Sequence, residues 1–151
     1  MKGFLYKRPL PEDQKHKFIQ YGGIELAEKL QTPLRAIDLT AMTTLNSAVS
    51  NDIGVDFGYA QQVMGLADTG DVFIGISTSG NSNNVHWAAM AAKVMGAVLI
   101  GLTGQNGGVM YESGLYDVVV RVKENATYLI QEAHVALYHT ICAVVEEAFF
   151  A

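Results

Sequence analysis

The apolar positions of this chain fall into short runs that alternate with stretches of helical spacing. Four apolar runs predict strands: 34–40, 72–77, 97–103 and 118–122. The run at 72–77 is apolar on both faces, as in a strand buried within a parallel sheet. Helical spacing is found in four stretches: 43–52, 57–66, 83–95 and 127–150. This alternation predicts an α/β fold with a parallel sheet.

The two ends of the chain have different patterns. Residues 3–11 predict a connector because Pro9 and Pro11 cannot lie inside a helix. Residues 12–30 are polar and helix-prone, and Gly22-Gly23 divides them into two short surface helices. The last helical stretch is apolar on more than one face, which is typical of a helix buried on most sides. We expect one side of it to pack on the sheet and the other on a second subunit.

Composition narrows the class of protein. The 151 residues suffice for one domain, 1–151, with half of them apolar and 17% charged, and the scarcity of charge predicts subunit interfaces. A net charge of −5 argues against nucleic acid as a partner. We expect no membrane contact, since there is no apolar run of about 20 residues and no secretory signal. The single cysteine, Cys142, lies in an apolar helical context, which predicts a core position and a cytoplasmic setting.

Residues 74–83 form the most informative motif, an apolar strand that runs into small hydroxyl residues and then into a helix. Hydroxyl groups are offered by Ser77, Thr78, Ser79 and Ser82. Hydroxyls, free backbone N–H groups and a helix N-terminus together suit a phosphate dianion, and parallel sheets bind ligands where their strands end. A plain turn with a helix cap is the alternative. Capping needs only one oxygen, so the surplus of hydroxyls favours phosphate.

These residues resemble the sugar isomerase (SIS) fold and, within it, the phosphoheptose isomerase family. The likeness runs from about residue 36 to the C-terminus. Four stretches carry it: Gly70-Asp71-Val72 with residues 75–82, Leu102-Thr103-Gly104 with Gly107-Gly108, residues 130–134 with His139, and Asn51-Asp52.

The resemblance implies a three-layer αβα domain with flavodoxin-like strand order, and an isomerase. Family members interconvert sedoheptulose 7-phosphate and an aldose heptose 7-phosphate through an enediol, without a nucleotide cofactor. Carried over by position, the four hydroxyl residues would hold the phosphate, and Asn51 and Asp52 would bind sugar hydroxyls. Gln131 would face the reacting end together with His139, the acid/base or zinc ligand. The family also implies a cytoplasmic homotetramer or dimer, and some members bind zinc.

Several of these residues have a plainer interpretation. Asn51-Asp52 also suits a turn that ends a helix, and His139 lies on an apolar helix where most histidines are packed core residues. His134 and His86 are predicted to serve packing alone. Gln131 and His139 would stand about 12 Å apart on a straight helix, so a shared metal ion requires an irregular first turn.

The chain departs from the family pattern at its N-terminus. Relatives have a further first strand and a preceding helix, and they carry a second catalytic carboxylate that would fall just before Met1. We therefore expect a truncated SIS domain that is inactive by itself, whereas a longer reading frame would be active. The alternative function is a non-catalytic SIS protein that binds phosphosugars or associates with a replication initiator. An etherase or aminosugar deaminase would need a differently placed carboxylate or a lysine, and we find no candidate for either around Gln131.

Overall fold

The computed structural model describes residues 6–150. Its helices are α1 (Glu12–Gln20), α2 (Ile24–Lys29), α3 (Thr43–Asp52), α4 (Gly58–Leu66), α5 (Asn83–Val94), α6 (Gly108–Glu112) and α7 (Thr127–Phe150). Its strands are β1 (Val72–Ile76), β2 (Val98–Thr103) and β3 (Val118–Arg121).

The strands form a parallel sheet in the order β1-β2-β3. Val72 is opposite Val98 in the first pair, and Ile100 is opposite Val118 in the second. The α/β fold with a parallel sheet is therefore confirmed. A flavodoxin-like order includes a point at which the strand order reverses, and these three strands do not reach one, so that detail stays a prediction.

The strand predicted over 34–40 is wrong. A 3-10 helix, Leu39–Ala41, follows irregular backbone there, and the Asp38 carboxylate accepts hydrogen bonds from the Thr40 amide and hydroxyl at 2.8 and 2.7 Å. These local bonds occupy the groups that a strand would need. Residues 35–38 are exposed, so no buried face favours a strand.

Helix positions agree well with the sequence pattern. The ranges 43–52 and 127–150 are confirmed residue by residue, as are the two short helices on either side of Gly22-Gly23. Met42 occupies the N-cap position of α3, and no side chain bonds the first turn of that helix. No helix within residues 6–150 is long and apolar enough to cross a membrane.

The chain forms two compact units. The unit of residues 38–135 contains the sheet, and α5 contributes a buried alanine stripe, Ala88, Ala89 and Ala92, to its core. Bulkier side chains fill the space beside the glycines of β1 and β2. A Cβ on Gly75 would lie 2.8 Å from the Tyr116 hydroxyl oxygen, and one on Gly101 would lie 2.7 Å from the sulfur of Met110.

The other unit joins the described residues up to Ile37 with those from Ala136 onward. Arg8 Nε lies 3.3 Å from Glu146 Oε1, and both side chains are almost fully buried. The Arg8 guanidinium also lies 4.6 Å from the ring centre of Phe150, and the Tyr6 hydroxyl donates to the Glu147 carboxylate. The connector predicted over 3–11 is irregular in its described part, from Tyr6; residues 3–5 lie outside the described residues. Cys142 is partly buried.

Candidate phosphate site

The hydroxyl-rich loop, residues 77–82, joins β1 to α5. The Ser77 amide donates to the Leu102 carbonyl oxygen at 3.0 Å, which extends the pairing with β2 by one residue. Gly80 has a φ of +70°, a conformation that disfavours any side chain, and its amide donates to Ser77 O at 3.0 Å. The loop therefore turns sharply at the mouth of the sheet.

Two of the four predicted hydroxyls form hydrogen bonds within the loop. The oxygens of Ser77 and Ser82 are 2.8 Å apart, and Ser77 Oγ also accepts from the Gly80 amide at 3.1 Å. Ser77 is buried and Ser82 partly buried. These bonds hold the turn closed and leave the outer surface of the loop to its other groups.

The outer surface presents hydrogen-bond donors that the described residues leave unpaired. No acceptor within residues 6–150 meets the backbone N–H groups of residues 78, 79, 82, 83 and 84. The Thr78 hydroxyl also has no partner in this part of the chain. Ser79 Oγ accepts from the Asn81 amide at 3.2 Å, which leaves its own O–H free to donate. Three of these amides belong to the cap and first turn of α5, where the helix dipole also favours an anion.

The turn after β2 is hydrogen-bonded to this loop. The Gly104 amide donates to Thr78 O at 3.0 Å, and the Met110 amide donates to Gly80 O at 2.9 Å. Asn81 Oδ1 accepts from the Val109 amide at 3.0 Å. The backbone of the loop is thereby fixed before any ligand arrives.

A polar cavity of about 180 Å³ opens beside the start of α5. It is lined by Asn46, Ser50, Val55, Gly58, Tyr59 and Asn84. Sequence reasoning missed these residues, although Asn46 and Ser50 are four apart on α3 and so share one face of that helix. Asn51 and Asp52 lie exposed at the end of α3, next in sequence to Ser50 but outside the cavity lining.

The two residues predicted from the last helix lie in different compact units. Gln131 is exposed and belongs to the unit of residues 38–135, whereas His139 is exposed and belongs to the other unit. The His139 ring meets Tyr138 edge to face at 4.8 Å between centres.

The first turn of α7 is regular from Thr127, so the irregularity that a shared metal ion would require is not found. Gln131 and His139 then do not fit a single zinc ion. Residues 6–150 hold no group of three His, Cys, Asp or Glu side chains that could bind a metal. We derive no chemical step through zinc.

The two histidines assigned to packing are partly or fully buried, as predicted. His134 is 4% exposed, and its Nε2 lies 3.3 Å from the Thr103 carbonyl oxygen. His86 is partly buried in the first turn of α5, with its ring centre 5.6 Å from that of Trp87.

Comparison with known proteins identifies the family. Residues 13–104 match the SIS domain model. The chain is 44% identical over 117 residues to phosphoheptose isomerase of Campylobacter concisus, covering 78% of this chain and 61% of that protein. It is 43% identical over 130 residues to the Aliarcobacter butzleri enzyme, covering 84% and 68% of the two proteins.

The fold agrees with a solved structure of the same family. Phosphoheptose isomerase from Neisseria gonorrhoeae matches with a TM-score of 0.72 and 40% identity, over 76% of this chain and 62% of that one. The chain thus spans about three fifths of the length of several relatives. On the SIS match and the identity to these relatives, the chain belongs to the phosphoheptose isomerase family of SIS domain proteins.

Proposed function

We propose that this chain carries the sugar-phosphate site of an aldose–ketose isomerase that acts on sedoheptulose 7-phosphate. The observation that carries the proposal is the set of unpaired donors on the outer surface of residues 77–82. These donors are several backbone amides and two hydroxyls beside a helix N-terminus, and the oxygens of a phosphate dianion are the acceptors that such donors require.

In this proposal the four hydroxyl residues divide the work. Thr78 and Ser79 donate directly to the phosphate, while Ser77 and Ser82 keep the loop in its bound shape through their mutual 2.8 Å contact. A hydrogen bond to a charged group is worth roughly 1.5–3 kcal/mol. A few such bonds would anchor the sugar by one end.

The sugar hydroxyls are assigned to Asn51, Asp52 and Gln131. Amide and carboxylate groups can each accept and position hydroxyls, and all three side chains are exposed to a ligand. The cavity next to Asn84 adds further amides and hydroxyls within the same unit. We propose that these groups orient the carbon chain.

The reaction itself is a proton transfer between neighbouring carbons. A base removes the proton from the hydroxyl-bearing carbon beside the carbonyl while the carbonyl oxygen takes up a proton, which gives an enediol. The hydroxyl on the first carbon then loses its proton to become the new carbonyl as a proton is added to the former carbonyl carbon. We assign His139 to this acid/base role, since an imidazole ring can both take up and return a proton. The assignment rests on the family pattern.

We further propose that the protein works in the cytoplasm as a homotetramer or dimer that associates through α7. Exposed apolar and aromatic side chains along this helix support the proposal: Tyr128, Val135, Tyr138, Val144 and Phe149. Light scattering after gel filtration measures the mass of the assembly directly. A monomer at micromolar concentration would contradict this part of the proposal.

Deuterium exchange tests the isomerase function against the alternative of a binding protein. Sedoheptulose 7-phosphate is incubated in D2O with the 151-residue chain and with the longest reading frame that contains it, and NMR follows both deuterium entry and the aldose product. We expect deuterium entry and aldose formation with the protein encoded by the longer frame. Both should be lost in its His139→Gln variant, which should still bind the sugar phosphate. If both proteins bind the sugar phosphate and neither promotes deuterium entry, the phosphosugar-binding alternative is supported.

A further inference from the structure

His134 makes one hydrogen bond whose direction is fixed by chemistry. Its Nε2 lies 3.3 Å from the carbonyl oxygen of Thr103, and a carbonyl can only accept, so Nε2 carries the proton. Nδ1 is buried without a partner in the described chain. A proton on Nδ1 instead would be a buried donor without a partner, so the geometry favours the tautomer with its proton on Nε2.

Thr103 lies between this histidine and the hydroxyl-rich loop. The Thr103 carbonyl also accepts from the Val122 amide at 3.0 Å, and the next amide, that of Gly104, donates to Thr78 O at 3.0 Å. A Cβ on Gly80 would lie 3.0 Å from Thr103 Oγ1. Residues 103 and 104 are therefore in direct contact with the loop.

The same strand end also lies against α7. A Cβ on Gly104 would lie 2.6 Å from Ile130 Cδ1 and 2.8 Å from Thr78 O, so the strand end lies between the helix and the loop. Gln131 precedes His134 by three positions, and side chains at this spacing are neighbours on a helix surface. The rotation of α7 that His134 sets therefore also sets the direction of Gln131.

We propose that His134 is a positioning residue, which holds α7 against the end of β2 so that Gln131 faces a sugar anchored on the phosphate loop. The inference rests on the proposed function and adds to it a group outside the substrate contacts. His134 does not touch the ligand. It acts through Gln131, and its loss weakens the contacts to the sugar more than the contacts to the phosphate.

Matched variants separate this role from simple packing. Glutamine can place an amide N–H near the position of Nε2, whereas the shorter asparagine cannot reach the Thr103 carbonyl. We expect His134→Asn to weaken sedoheptulose 7-phosphate binding about tenfold and His134→Gln to stay within threefold of the unsubstituted chain. Inorganic phosphate, which needs the loop alone, should bind all three proteins within twofold. Calorimetric titration measures both ligands, and circular dichroism confirms that each variant is folded.

A double-mutant cycle with Gln131→Ala tests the coupling. If His134 acts through Gln131, then His134→Asn should cost less than twofold in affinity once Gln131 is alanine. A full tenfold loss in that background, equal affinities of the Asn and Gln variants, or an equal loss for inorganic phosphate each overturns the inference. No sugar-phosphate binding by the unsubstituted chain overturns the proposed function, and the inference with it. Normal binding that is insensitive to His134→Asn overturns the inference alone.

Discussion

A Cβ atom on Gly80 would overlap the carbonyl oxygen of Gly107, because the hydroxyl-rich loop crosses the turn after β2 with backbone against backbone. Gly80 also has a φ of +70°. Both facts require glycine at this position, one through space and the other through conformation. The shape of the loop therefore depends on a close approach that no side chain permits.

Gly80→Ala should accordingly lower the unfolding free energy far more than a substitution that introduces conformational strain without a steric clash. Gly114 is a matched control, since its φ of +64° is similar and a Cβ added there would have nothing within 4 Å. We expect Gly114→Ala to cost about 1–2 kcal/mol of unfolding free energy, and Gly80→Ala to cost at least twice as much. Urea unfolding measures both. Equal costs would show that the loop and the turn are not in contact.

The hydroxyls of the loop should separate into two classes on substitution. Ser79→Ala and Thr78→Val remove hydroxyls that donate to no acceptor within residues 6–150 and should each weaken sugar-phosphate binding by roughly 1.5–3 kcal/mol with little effect on stability. Ser77→Ala removes a buried oxygen that bonds Gly80 and Ser82, so it should lower the unfolding free energy by about 1–3 kcal/mol. Titration and urea unfolding of the three variants check this division. A Ser79→Ala variant with unchanged affinity would remove that serine from the site.

Tyr116 should make the protein sensitive to alkaline pH. Burial raises the pKa of the Tyr116 hydroxyl from 10.0 to about 12. Above pH 10 the unfolded chain loses this proton while the folded chain keeps it, so stability falls as the pH rises from 10 to 12, by roughly 2 kcal/mol from this group.

Tyr116→Phe should remove that component of the alkaline loss. At neutral pH the variant should be as stable as the parent or more so, by about 1 kcal/mol, since the buried hydroxyl has no partner among the described residues. Urea unfolding at pH 7, 10 and 12 gives the comparison. The same alkaline loss in both proteins would show that the hydroxyl is accessible to water in the folded chain.

The Arg8–Glu146 pair should behave as a buried ion pair. Glu146→Leu leaves a buried guanidinium without this carboxylate and should cost about 3–5 kcal/mol, whereas Arg8→Met combined with Glu146→Leu should recover most of that loss. The exposed pair of Lys29 and Glu25 is the control, and Glu25→Gln should change stability little. A double variant as unstable as the single one would show that the partners of this pair do not depend on each other.

Local patterns in the sequence predicted most elements of the fold. The ranges of α3 and α7 and the strands β1 to β3 followed from periodicity and from glycines at their ends. The segment 34–40 also contains four apolar residues, but Asp38 binds Thr40 within its own turn and no strand lies beside it to pair with among residues 6–150. Pairing depends on partners elsewhere in the chain, which an apolar run does not reveal.

The candidate site was predictable to the extent that it is local. The loop hydroxyls are adjacent in sequence, so their pattern was sufficient to find them. The division between buried Ser77 and exposed Ser79 depends on the approach of the turn after β2, and the bond from His134 to Thr103 joins two distant segments. The cavity likewise brings Asn46 and Asn84 together from different helices. None of these relationships leaves a periodic signal.

The central claim is that residues 77–82 hold the phosphate of a phosphorylated sugar. The most direct test is a calorimetric titration of the unsubstituted chain with sedoheptulose 7-phosphate and, separately, with sedoheptulose. We predict that the phosphorylated sugar binds at least a hundredfold more tightly and that Ser79→Ala combined with Thr78→Val removes most of this difference. Equal affinities for the two sugars, or a preference that survives the double substitution, would contradict the account.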